Sequence, residues 1–333
     1  MVTIDHELIR GDYATIRRGI PSCEWDQFAD LVAARRSELE AEFRNPAEHR
    51  QLSLVTAGDF QNTGILKLPF VIAPDWVAAM RRHLEPMPAL MGKNYSAKGQ
   101  ALKPLAEVRR NSQFASYTFD QILGMPHLID VFNYEPIVDF IEQHMGCVPT
   151  LYSTHAWWSF PAAAPEGFNA QYFHRDTDDW RFFTLFLYLT DVDSSSGPHQ
   201  LIAGSHTAAG MSKLLAGAQA LGRNVTDFDI KKSFASHRGE DFSMRCERLF
   251  AEHIVDVTGP AGTMFIANTL ALHRGLLPAI NPRLIVWARF GFGSNTNSVD
   301  HHVRPLPRSR VPTRLADTLR NRYINRMLLS FSE

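Results

Sequence analysis

His174, Arg175 and Asp176 stand in the run Gln171-Tyr172-Phe173-His174-Arg175-Asp176-Thr177. Side chains of an extended segment alternate between two faces, so His174 and Asp176 present one imidazole and one carboxylate to the same side. Those two groups are adjacent ligands for a metal. A second histidine from elsewhere would complete a facial triad of two His and one carboxylate, leaving three cis positions open on an octahedral iron, as oxygen activation requires. His273, in Leu270-Ala271-Leu272-His273-Arg274-Gly275, is the natural third ligand. Arg283 follows it by ten residues, in Asn281-Pro282-Arg283-Leu284-Ile285-Val286. A guanidinium placed near a metal but not on it can clamp a carboxylate with two parallel hydrogen bonds. An Fe(II) site with an arginine for an organic diacid implies 2-oxoglutarate as co-substrate and O2 as oxidant. Taken singly, His-x-Asp is as well explained by a surface salt-bridged pair, and Arg283 by a structural ion pair at a strand start. Their order and strand context favour the metal site.

The elements that must position these residues change in character along the chain. Residues 1–145 read as a helical and loop region that supports and covers a core. Within it, Glu24 to Phe43 and Asp75 to Leu84 carry helical spacing, with Asp75 as the N-cap of the second. Residues 85–112 read as loop, and Pro126 to Met145 as one helix. Residues 146–295 read as the β core, with strands at Thr150 to Phe160, Arg181 to Leu189, His199 to Ala203, Ile254 to Val257, Thr263 to Ala267 and Arg283 to Phe290. A helical and irregular insert over residues 205–250 interrupts them. Residues 296–333 form a tail, with an amphipathic helix from Thr313 to Leu329. Short strands punctuated by Gly and Pro predict a sandwich or barrel rather than alternating β-α units. In a jelly roll, two sequence-distant strands can run side by side, which would bring His273 to His174 and Asp176.

Composition sets the outer limits. The chain has 333 residues, 45% hydrophobic and 21% charged, with a formal net charge of -1. That is an ordinary globular balance, and the absence of a basic excess argues against nucleic acid or anionic lipid as main partner. Cys23, Cys147 and Cys246 are far apart and odd in number, forming neither a disulfide framework nor a zinc pattern. The charged start Met1-Val2-Thr3-Ile4-Asp5-His6-Glu7 lacks a signal-peptide run, and no apolar stretch approaches the roughly 20 residues of a membrane span. A cytoplasmic protein acting on a small molecule is the expectation. Oligomeric state stays open.

The sequence resembles the phytanoyl-CoA dioxygenase family of Fe(II)/2-oxoglutarate-dependent oxygenases. Four matches in order carry the resemblance: His174-x-Asp176; a strand ending in Leu189-Thr190-Asp191-Val192; Gly197-Pro198 to Gly204-Ser205-His206; and His273 with Arg283. The resemblance covers residues 145–295 well and the N-terminal part only in general layout. It implies a mainly β fold with added helices, built on a double-stranded β-helix (jelly roll, cupin-like) core. It further implies iron held by His174, Asp176 and His273, and Arg283 on the distal carboxylate of 2-oxoglutarate. The activity implied is hydroxylation of an aliphatic or alicyclic C–H with release of succinate and CO2. Retention of Asp176 leaves no vacant ligand position for a halide, so hydroxylation is favoured over halogenation, while desaturation or ring chemistry stays open. Many relatives carry a hydroxyl residue two positions after the distal histidine, where this chain has Gly275. Another hydroxyl must then substitute, or the clamp is Arg283 alone. A cupin-type metal enzyme without 2-oxoglutarate is the competing enzyme class, and a jelly-roll binding module the non-enzymatic one.

Other residues invite and resist the same interpretation. Trp157 and Trp180 are candidates for the pocket wall near co-substrate and substrate respectively, with core packing the equal alternative for each. His155 is expected as a core histidine, His199 and His206 as turn or strand-edge residues, and His301 and His302 as solvated. Lys93, Lys98, Lys103, Arg109 and Arg110 are expected to form a solvated loop face.

Overall fold

The computed structural model describes residues 20–41, 57–92, 101–162, 169–293 and 306–331. Ten strands are described: β1 (Ile65–Val71), β2 (Leu90–Met91), β3 (Phe114–Ser116), β4 (Thr150–Ser159) and β5 (Phe182–Tyr188), then β6 (His199–Ile202), β7 (Ile254–Val257), β8 (Thr263–Ala267), β9 (His273–Gly275) and β10 (Arg283–Gly291). Seven of them form one antiparallel sheet in the order β1-β8-β5-β10-β4-β3-β2, and three form a second in the order β7-β6-β9.

Strand alternation explains the layering. On β10, Leu284, Val286 and Ala288 join Leu185 and Leu187 of β5 and Ile266 of β8 in a cluster covered by helices such as Trp25–Leu39 and Glu135–Met145. The opposite face carries Ile285 and Trp287 of β10, Trp157 of β4, Phe186 and Tyr188 of β5 and Phe265 of β8. These pack with Leu201 and Val257 of the smaller sheet, so the second cluster is the interior between the sheets. Being buried on both faces, β5 and β10 read as nearly continuous apolar runs, whereas β4, equally buried, carries Thr150, Ser153, Thr154, His155 and Ser159 among its apolar residues. The result is a jelly-roll core of two antiparallel sheets with added helices. The Tyr188 hydroxyl ties them together: it donates to Val257 O at 2.9 Å and accepts from His199 N at 3.1 Å.

Several expectations are corrected. Residues 1–145 are not only helix and loop, because β1, β2 and β3 extend the large sheet at both ends. Pro69 and Lys67 disguise β1, yet an edge strand tolerates proline, and the register with β8 breaks between Lys67 and Val71. The helix expected from Pro126 divides into Leu128–Phe132 and Glu135–Met145, with Pro136 in the first turn of the second piece. Asp75 lies inside its helix, which begins at Pro74 after Ala73; its carboxylate favours the positive helix start without capping it. Leu105–Asn111 is helical within the stretch read as loop. The tail holds two short helices, Thr313–Ala316 and Leu319–Asn325, rather than one.

Between β6 and β7 lie the helices Ala208–Ala220, Asp227–Ser233 and Glu240–Leu249. The excursion starts and ends on paired residues, Ile202 opposite Ile254, and Ala203 N donates to His253 O at 2.7 Å. Its apolar cluster, including Met211, Leu214, Phe242 and Phe250, also takes in Phe173 and Leu272. Those are the residues immediately before His174 and His273, so the packing of the excursion anchors both histidines.

Candidate metal centre and co-substrate pocket

His174 and His273 are joined through their backbones. His174 N donates to His273 O at 3.0 Å and His273 N to His174 O at 2.9 Å. The segment around His174 is not a strand; besides this bridge, Asp176 N donates to Thr269 O at 3.0 Å, Phe173 N to Ser243 Oγ at 3.1 Å and Ser236 Oγ to Arg175 O at 2.8 Å. Each imidazole is oriented by the carbonyl two residues earlier. His174 Nδ1 lies 2.8 Å from Tyr172 O, and His273 Nδ1 lies 2.9 Å from Ala271 O. A carbonyl oxygen only accepts, so each Nδ1 carries a hydrogen and each Nε2 is the ring atom turned toward Asp176. The two Nε2 atoms stand 3.6 and 3.5 Å from the Asp176 carboxylate oxygens. One ligand atom from each of the three residues lies within 4.8 Å of the others, and among the described residues no other such group is found. Two imidazoles and one carboxylate, all buried and converging within a few ångströms, fit a six-coordinate iron with open positions.

Electrostatics keep these groups in ligand form. Burial, followed by the neighbouring His273, pulls His174 from 6.5 down to about 4, so it is neutral at physiological pH. Burial pushes the Asp176 carboxyl up, but Arg289 and the two histidines outweigh it and hold it well below the usual carboxylate range. Arg289 Nη2 sits 2.5 Å from Asp176 Oδ2, and Arg238, from the excursion, places Nη2 at 3.4 Å from Oδ1. Arg289 also pairs with Asp178 at 2.7 Å and lies over the Trp287 ring.

A pH dependence follows. Burial also brings His206 down to about 4. The unfolded chain protonates these imidazoles near 6.5 and the folded chain only near 4, so the unfolded state binds more protons in between. Stability of the metal-free protein is therefore full above 6.5 and is lost as pH falls from about 6.5 to about 4, by on the order of 3 kcal/mol per histidine. Urea midpoints measured across that window check this. A decline that starts only below pH 5, where carboxylates titrate, contradicts it.

Arg283 occupies the same face of β10 as Arg289. It is 2% exposed, and its Nε and Nη1 are buried without any hydrogen-bond partner. Burial pulls the guanidinium down from its usual value, with Tyr188 opposing. A buried cation lacking an anion costs several kcal/mol, which a carboxylate entering the pocket would offset. The orphaned donors therefore fit the distal end of a dicarboxylate. Gly275 faces this guanidinium: a Cβ there would stand 3.1 Å from Arg283 Nη2, so the position is the one from which a hydroxyl could reach the clamp.

The remaining candidates separate. Trp157 lies in the interior cluster, its ring 6.0 Å from that of Trp287, and His155 packs 4.4 Å from the same indole. Trp180 joins the helix-side cluster instead, its ring 4.4 Å from Phe28, which puts it in core packing rather than among the interior residues. His206 is a turn residue against Gly64, as expected, and Ser205 beside it accepts from Leu272 N at 2.8 Å. His199 departs from expectation. It is 4% exposed in the interior, with its ring 5.5 Å from that of His273 and 4.8 Å from Phe186. The missed signal is alternation, since inward-facing Leu201 forces His199 inward too. Lys103 pairs with Glu107 at 2.7 Å, Arg109 lies over Phe160, and Lys93, Lys98, His301 and His302 lie outside the described residues.

A sequence profile described as "Phytanoyl-CoA dioxygenase (PhyH)" matches residues 60–275. The chain belongs to the phytanoyl-CoA dioxygenase family. It is accordingly an oxygenase of the Fe(II)/2-oxoglutarate-dependent type. The matched span holds His174, Asp176 and His273 and stops short of Arg283. No curated protein matches the chain. Among solved structures, it is similar to AviO1 from Streptomyces viridochromogenes Tue57, at 12% identity over 70% of this chain and 92% of that one, with a TM-score of 0.40. It is also similar to SnoK, a non-heme alpha ketoglutarate dependent carbocyclase from nogalamycin biosynthesis, at 14% identity over 74% and 87% with a TM-score of 0.44. EctD from S. alaskensis with bound Fe matches at 15% identity over 75% and 81%, also with a TM-score of 0.44. Among the described residues no helix is long and apolar enough to cross a membrane.

Proposed function

We propose that this phytanoyl-CoA dioxygenase family member hydroxylates an aliphatic or alicyclic C–H of a small molecule in the cytoplasm, converting 2-oxoglutarate and O2 to succinate and CO2. The observation that carries this is the pairing of a buried His174-Asp176-His273 constellation with the unpartnered guanidinium of Arg283 in the same interior. In this reading His174 Nε2, His273 Nε2 and an Asp176 oxygen hold Fe(II), and Arg283 receives the distal carboxylate of 2-oxoglutarate. Bound iron supplies oxygen activation and the oxidation of the C–H bond.

The chain's own residues supply the rest. Tyr172 O and Ala271 O hold the imidazoles in the ligating tautomer. Arg289 keeps Asp176 ionised. Trp157, Phe186, Ile285 and Trp287 wall the interior with apolar surface and exclude water that would compete for a reactive site. The excursion between β6 and β7 places Arg238 against Asp176, and in this reading it borders the entry to the site.

The test uses the intact protein with Fe(II) under nitrogen. Adding 2-oxoglutarate should produce a visible metal-to-ligand charge-transfer band, and admitting O2 should yield succinate at a rate stimulated by the true substrate. Iron binding without the band, together with no succinate, favours a cupin-type enzyme that does not use 2-oxoglutarate.

A further inference from the structure

We propose that His199 is the second donor of the co-substrate clamp, taking the place of the hydroxyl that Gly275 lacks. This rests on the function proposed above and assigns a residue to it. Three observations converge. First, β6 and β9 pair antiparallel with His199 directly opposite Gly275. Cross-strand partners project to the same side of a sheet, so the imidazole shares the face on which a Gly275 side chain would meet Arg283 Nη2 at 3.1 Å. Second, His199 Nε2 is buried without a hydrogen-bond partner, as are Arg283 Nε and Nη1. Third, the side chains packed directly against the imidazole are apolar or already committed. Phe186 and Phe265 pack on the imidazole, and the Tyr188 hydroxyl is used by Val257 O and His199 N.

Unsatisfied buried polar atoms are rare in folded proteins, and each demands an explanation. Two such residues around one point define what would satisfy them. An imidazole in any protonation state offers at least one N–H, and a guanidinium offers five in a fixed fork. A carboxylate provides two oxygens with about four acceptor sites, enough for both residues at once. A neutral or cationic ligand end would leave Arg283 unpaired, whereas a carboxylate satisfies both. The ring stacks on that of His273 at 5.5 Å, so the same imidazole adjoins the metal centre as well as the Gly275 position beside Arg283. That placement suits contact with the far half of a five-carbon diacid whose near half is at the metal. With no side chain at residue 275, the ring has room to lie over it.

The experiment compares 2-oxoglutarate with 2-oxopentanoate, which has the same chain length but a methyl group where the distal carboxylate stands. Affinities are read by calorimetry on Fe(II)-loaded protein under nitrogen. His199→Leu should weaken 2-oxoglutarate about 10-fold or more and leave 2-oxopentanoate unchanged. His199→Gln, which keeps an N–H donor, should retain most of the affinity. Adding Gly275→Ser to His199→Leu should restore part of the loss. In wild-type protein loaded with Zn(II), the His199 ring nitrogen resonances should shift with 2-oxoglutarate and not with 2-oxopentanoate, a readout that needs no variant. Unchanged 2-oxoglutarate affinity in His199→Leu, equal loss of both acids, or identical resonance shifts with both would overturn the assignment. Failure of wild-type protein to bind 2-oxoglutarate overturns the proposed function as well, whereas equal binding by wild type and His199→Leu overturns only the role of His199.

Discussion

Asp176→Ala abolishes 2-oxoglutarate turnover and weakens Fe(II) binding by more than about 100-fold, beyond the 10- to 100-fold typical of losing a residue that only orients a ligand. The carboxylate is the one anionic group of the triad, and it is the point on which His174, His273, Arg289 and Arg238 all converge. Its removal costs the fold less than it costs the metal. Arg289 keeps Asp178 at 2.7 Å, so its guanidinium is not left without an anion. A melting temperature within several degrees of wild type is therefore expected alongside the lost turnover. His174→Ala and His273→Ala should behave alike, since each removes one of the two imidazole ligands of the triad. Metal content by elemental analysis and succinate formation check all three. Undiminished turnover in Asp176→Ala and His174→Ala sinks the metal assignment.

Arg283→Met moves affinity and stability in opposite directions. Truncating one partner of a buried charge pair costs about 2–5 kcal/mol of binding, so 2-oxoglutarate affinity should fall by about 30-fold at least. In the ligand-free protein the same substitution removes an uncompensated buried cation and substitutes apolar volume. Comparable replacements are often neutral or stabilising by about 1–4 kcal/mol. Calorimetry with 2-oxoglutarate and urea denaturation without it measure the two effects separately. Strong destabilisation of the ligand-free protein would mean instead that Arg283 serves a structural ion pair. The fold thus carries a cost at residue 283 that only a bound anion relieves.

The chemistry was more legible than its surroundings. His174, Asp176, His273 and Arg283 could be ordered because ligand type is a property of single residues and strand alternation is local. Arg289 was within reach of the same logic, since residues 283, 285, 287 and 289 share one face of β10. Arg238 was not, because it arrives from a helical excursion whose packing no periodicity encodes. The N-terminal strands were missed for a different reason: β2 and β3 have two and three residues, too few for any period to show. Trp180 precedes β5 in irregular chain, where alternation assigns no face, and a large indole fills a core as readily as it walls a pocket. His199 was misplaced because the Gly197-Pro198 signal suggested a turn, while the strand beginning at His199 itself turns that ring inward.

The closed base of the excursion between β6 and β7 bears on how such a protein diversifies. Residues 204–252 depart and return across a single rung, Ile202 opposite Ile254, so the ladder keeps its register whatever spans the gap. Chain closure is forgiving of length, with each doubling of a loop costing only about 0.6 kcal/mol. Selection, or a protein engineer, can therefore exchange this segment as a cassette and alter which molecules are admitted while iron and diacid handling persist. One condition travels with any graft. It must bring apolar surface for Phe173 and Leu272, or the two histidines behind them lose their footing.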